Sequence, residues 1–177
     1  MIKKVILISV ALMSMMACSG PNKSGDTKAS LHDSIAVSED NLFNNENKRI
    51  TRDDALDLIR LYEKYADKYP EDTLAPVYLF RASDISMNLQ QPVKTIALFN
   101  KIMTKYPDYE KTPSVMFLKA FVYEDQLHDL NKAKKYYEEF LEKYPDSDFA
   151  DDARISLQNL GKSPEELIKE FEEKQQE

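Results

Sequence analysis

A chain of 177 residues with 24 Lys and Arg against 31 Asp and Glu carries a net charge of −7. It has no surplus of positive charge for nucleic-acid phosphates, and an anionic lipid surface would repel rather than attract it. One cysteine, two histidines and three glycines leave little from which to build a Cys–His dyad, a His-rich zinc site or a Gly-rich phosphate loop. In chain order, the first feature is Met1-Ile2-Lys3-Lys4, a basic start, followed by a largely apolar run of 12 residues at positions 5–16. A membrane-spanning helix needs about 20 residues, so this run fits the apolar core of a signal peptide. Ala17 supplies the small residue before a cleavage point, which makes residues 1–17 the removable leader.

Cys18, the only cysteine, stands directly after that run. The arrangement resembles a bacterial lipoprotein lipobox, with Met15 and Met16 where Leu and a small residue are usual. The resemblance implies a diacylated Cys18 as first residue of the mature protein, and two acyl chains are what stable anchoring requires. Loss of Lys3 and Lys4 would leave 22 basic side chains against 31 acidic ones, a mature charge of −9. Residues 19–23 carry neither the Asp that favours inner-membrane retention in proteobacterial lipoproteins nor the acidic run that favours surface export in Bacteroidetes-type ones. By that resemblance the expected location is the periplasmic face of the outer membrane.

Residues 18–48 read as the acylated cysteine and a flexible tether, rich in Ser, Asn, Asp and Lys and holding Gly20 and Gly25. Leu31, Ile35, Leu42 and Phe43 are its only sizeable apolar residues. They either dock on the first helix or stand isolated in a disordered linker, the simpler reading. The folded domain is expected over residues 49–177. Thr51-Arg52-Asp53-Asp54 reads as a helix cap with carboxylates in the first turn. Seven helices are predicted, at 51–69, 73–89, 92–106, 111–127, 129–144, 147–160 and 163–175. Gly161 stops the sixth; Ser163-Pro164-Glu165-Glu166 caps the seventh, whose stripe of Leu167, Ile168 and Phe171 marks a terminal cap.

Within this region Lys-Tyr-Pro occurs three times, ending at Pro70, Pro107 and Pro145, steps of 37 and 38 residues. Upstream of each lies the same apolar stripe: Tyr62, Phe99 and Tyr137, then Tyr65, Ile102 and Phe140 three residues on, then Ala66, Met103 and Leu141. That spacing is one face of a helix. A period in this range marks a helical repeat array, and such arrays present surfaces to other proteins. The extra residue of the second step is placed in a longer turn at 126–131.

These residues resemble the tetratricopeptide repeat family, with Ala133 at the small position of the second repeat helix and Tyr137 at the aromatic one. The run from Tyr137 to Ser147 is especially similar to repeats of BamD-like outer-membrane assembly lipoproteins and YbgF-like cell-division coordinators. Leu58 and Thr95 depart from the small residue, and the turn glycine is absent. The resemblance implies an all-α solenoid of about three helix pairs. It also implies a concave partner-binding groove through Phe80, Asp84, Met87 and Asn88 of the second helix and Leu118, Val122 and Asp125 of the fourth. The fourth helix is apolar almost all round, which core packing explains most simply, with part of it lining the concave groove as the sharper reading. The family's carboxylate clamp is not matched, since Phe80 and Asp84 occupy the corresponding places.

No catalytic residue, metal ligand or cofactor site is expected. His32 falls in the tether and His128 in a turn, and the carboxylate pairs lie on solvent faces. The expected function is an envelope scaffold holding other proteins, without chemistry of its own. The alternatives are a peptide- or peptidoglycan-associated binder using the same groove, and a lipoprotein that self-associates through an N-terminal helix lacking a partner before it.

Overall fold

The computed structural model describes residues 27–44 and 51–174. Among them lie eight helices and no strand: α1 (Lys28–Phe43), α2 (Arg52–Lys68), α3 (Leu74–Asn88), α4 (Pro92–Lys105), α5 (Thr112–Asp125), α6 (Leu130–Lys143), α7 (Ala150–Asn159) and α8 (Pro164–Lys174). The expected signal peptide, Cys18 and the glycines of the expected tether lie outside the described residues.

The helices stack as two layers of a solenoid. On the even-numbered side, Lys94 of α4 meets Glu63 of α2 at 2.7 Å and Lys101 meets Asp67 at 2.6 Å. On the odd-numbered side, Arg81 of α3 pairs with Glu39 of α1, and Gln126, which caps α5, donates its Nε2 to the Met87 carbonyl of α3 at 3.0 Å. The expected apolar stripes fill the space between layers: Tyr62, Tyr65, Ala66, Phe99, Ile102, Tyr137 and Phe140 are all buried. Each large side chain so placed contributes on the order of 1.5–3 kcal/mol by leaving water. Two core clusters result, one from α1 to α5 and one from α5 to α7, and Tyr123 packs against both.

The Lys-Tyr-Pro stops work as their chemistry dictates. Tyr69, Tyr106 and Tyr144 are the C-caps of α2, α4 and α6, each with its N–H still bonded to the carbonyl four residues back. The following proline has no N–H to carry a helix on. Two departures from the family pattern also find their cause. Thr95, buried at the small position, donates its hydroxyl to the Gln91 carbonyl at 3.0 Å and can accept from the Ser86 hydroxyl 3.1 Å away, so it is satisfied inside the α3–α4 contact. In the missing-glycine turns, Gln90 and His128 adopt left-handed backbone themselves, at φ 56° and 52°. The α3–α4 turn has three residues and the α5–α6 turn four, which locates the extra residue of the second repeat step between α5 and α6.

Three expectations need correction. Residues 28–43, assigned to the tether, form α1, so there are eight helices and the fold begins before residue 49. Leu31, Ile35 and Leu42 are buried against α2 and its neighbours. Thr27 caps α1 by accepting from the Ser30 N–H at 3.1 Å. In consequence α2 does have a helix before it, and the open N-terminal edge invoked for self-association is occupied. Lastly, the expected packing face of α8 is not closed: Ile168 is 59 % exposed. That helix is fixed by its Ser163–Glu166 capping box and by Lys162, which bonds Glu170 at 2.7 Å.

Candidate partner-binding face

The residues expected to line a groove belong to odd-numbered helices, and the first side chains of that layer come from α1. Glu39 accepts from the Tyr62 hydroxyl at 2.5 Å and pairs with Arg81, so one carboxylate ties α1 to α2 and α3. Burial, with the Glu39 hydrogen bond added, pushes the Tyr62 hydroxyl far above its ordinary pKa and keeps it a neutral donor. At the other end of α1, Lys28 pairs with Asp72 in the α2–α3 turn. That hydrogen bond, helped by the Leu74 N–H, holds the Asp72 carboxyl below the usual range.

Beside the Glu39–Arg81 pair opens a cavity of about 420 Å³, lined by Glu39, Phe43, Asn44, Tyr62, Arg81, Asp84 and Ile85. Asp84 and Asn88 point to solvent from α3, while Phe80 and Met87 are half-buried beside them. The Lys111 ammonium lies 5.6 Å from the Phe80 ring. On α5, Leu118 is half-buried and Asp125 exposed, in keeping with a groove. The bond from Gln126 to Met87 draws the C-terminal ends of α3 and α5 together, and their neighbours Asn88 and Asp125 are both exposed at that junction, with Asp84 one turn before Asn88.

Val122 does not belong to it. Its exposure is 0 % and it packs in the α1–α5 core. Phe121, 37 % exposed, holds the outward position instead, one turn before Asp125. The reason is the place of the extra residue. Because it falls after α5, the frame on α5 must be carried from Pro76 to Pro113, 37 residues on, which aligns Asp84 with Phe121. Glu39 and Phe43 were also missed, since they belong to α1, which carries no copy of the repeat signature, and Arg81 of α3 was missed because its partner is Glu39. Phe43 is 63 % exposed at the rim of the cavity.

Chemically, this face offers apolar contact and negative charge. Among the described residues no side chain pairs with the carboxylates of Asp84 or Asp125. No group of three or more His, Cys, Asp or Glu residues is placed to hold a metal, again among the described residues. No described helix is long and apolar enough to cross a membrane. The 13-residue stretch of Tyr137–Glu124 contact closes the third hairpin: the Tyr137 hydroxyl donates to Glu124 Oε2 at 2.7 Å, and Phe117 stacks on Phe149 at 4.9 Å between ring centres.

A comparison with known families agrees with this geometry. The model of a tetratricopeptide repeat matches residues 114–147, which is the hairpin of α5 and α6 together with its Tyr-Pro stop. A comparison with curated proteins gives no match.

Proposed function

We propose that this chain is a lipid-anchored scaffold of a bacterial envelope, held through Cys18 and binding other proteins on its odd-helix face without chemistry of its own. The observation that carries the reading is the tetratricopeptide hairpin at 114–147 within a solenoid whose odd helices expose Asp84, Asn88, Phe121 and Asp125. Repeats of this kind are generally protein-binding modules. The amino-terminal sequence supports the anchor, and the absence of an acidic run after Cys18 supports the periplasmic side of the outer membrane. A role in outer-membrane protein assembly or envelope organisation follows from the resemblance of residues 137–147 to BamD-like and YbgF-like repeats.

The test is photo-crosslinking in intact cells, with the reactive group placed in turn at Asn88, Asp125 and Glu138. Adducts with other envelope proteins are expected from the first two positions and not from Glu138, which lies on the outer face of α6. A second arm replaces Asp84 and Asn88 by Lys, which should abolish capture while helicity is retained. Adducts from Glu138 alone would move binding to the even-helix layer. Adducts only between copies of this chain would replace the scaffold reading with self-association.

A further inference from the structure

From the charge and ring pattern of this face, we infer that its partner is a basic amphipathic polypeptide segment. The inference rests on the partner-binding reading above and adds the chemical class of what is bound. Two neighbouring helices present the same pair of side chains with the same spacing: Phe80 and Asp84 on α3, Phe121 and Asp125 on α5. Residues four apart lie on one side of a helix, so each pair offers an apolar surface with a carboxylate one turn beyond it. Gln126 holds the two helices together at the carboxylate end.

Among the described residues, no cation pairs with the carboxylates of Asp84 and Asp125. Arg81, the cation nearest the cavity, is neutralised by Glu39, so Asp84 gives the cavity wall its net charge. Asp125 has no cationic partner among the described residues. A neutral segment laid here would strip water from both carboxylates with nothing in return, and an acidic one would add repulsion. A lysine or arginine satisfies both parts of the cavity: its stem lies along Phe43 and Ile85, and its head reaches Asp84. The molecule already shows this chemistry at one point, where the Lys111 ammonium lies over the Phe80 ring. Leucine-like side chains between the cations would meet Leu118 and Phe121.

Three labelled probes test this against the full-length chain by fluorescence anisotropy: an amphipathic leucine–lysine peptide, and glutamine and glutamate counterparts with the same leucine spacing. The lysine peptide should bind, weaken as salt is raised, and outcompete the other two. Asp84→Asn with Asp125→Asn should weaken it by about tenfold or more, because two close charge pairs are lost. Glu138→Gln with Glu139→Gln removes the same charge from α6 and should leave binding unchanged. Equal weakening by the two double variants would reduce the effect to overall charge and overturn the inference. So would a glutamine peptide that binds as tightly as the lysine one. If that binding is in turn abolished by Phe121→Ala, the odd-helix layer stands as a binding face and only the basic class of partner falls. Failure of the lysine peptide to bind also overturns the inference, while the cellular crosslinks at Asn88 and Asp125 decide the underlying reading independently.

Discussion

Single residues divide into those that hold the repeat and those that decorate it. Tyr137 is fully buried among Phe117, Phe140 and the hydroxyl contact to Glu124, so Tyr137→Ala should cost about 3–5 kcal/mol in denaturant melts. Lys134→Ala, on the exposed side of the same helix, should cost less than about 0.5 kcal/mol. Coincident midpoints for the two would mean that α6 is rotated from the phase described. The turn at Gln90 gives the opposite sign. Its φ of 56° is left-handed, and the Gln91 N–H reaches back to the Ser86 carbonyl at 3.0 Å, as in a glycine-closed helix end. Gln90→Gly relieves the side-chain strain at some cost in unfolded-chain entropy, and a net gain of about 0.5–1 kcal/mol is expected. A lower melting midpoint would show that the Gln90 side chain contributes more than its exposed position implies. Tyr62, Tyr65, Phe99, Ile102, Tyr137 and Phe140 were all readable as core because a helix-period stripe repeated three times admits no other arrangement.

At the scale of elements, α1 shows where that legibility stops. It buries only Leu31, Ile35 and Leu42, three side chains in 16 residues, with polar groups between them and no copy of the Lys-Tyr-Pro signature. Such a segment has little helical amphipathicity of its own, and its position is set by what α2 and α3 present to it. The same dependence explains Val122: local pattern placed it on a helix, but which side of α5 faces the core depends on where the extra turn residue falls. Since α1 is held by few contacts, its N-terminal end, where Lys28 pairs with Asp72, should respond to acid. Asp72 has a depressed pKa in the folded chain, so its contribution is complete above the ordinary carboxylate value of about 3.9 and fades as pH falls through the lower folded value. Hydrogen exchange of α1 amides should therefore accelerate relative to α4 as pH drops below about 4, after correction for intrinsic rates. In Lys28→Met, which removes the cation, that extra acid sensitivity should shrink. An unchanged profile would assign it to other carboxylates.

Over the whole molecule, the helices form a nearest-neighbour stack, and the proposed anchor would attach it at its beginning. The two core clusters join only through α5 and side chains such as Tyr123, so damage should stay near its origin. The proposed anchoring rests on residues 1–18, whose chemistry is local sequence rather than fold. With α1 starting at Lys28, nine residues separate Cys18 from that helix along the chain. Whatever conformation they take, nine residues span at most about 30 Å, so an acylated Cys18 would hold the solenoid close to the bilayer surface. A tether reaching to residue 48 would have allowed far more. Under the proposed lipoprotein reading the acyl chains are the anchor, and Cys18→Ala should either leave the unprocessed precursor or release the protein from membranes. The measurement is fractionation of cell envelopes with the mature length read by mass spectrometry, alongside wild type. A Cys18→Ala protein processed to the wild-type length and still found with outer membranes would remove the lipid anchor from the proposal. It would leave the odd-helix face to account for membrane association through its partner.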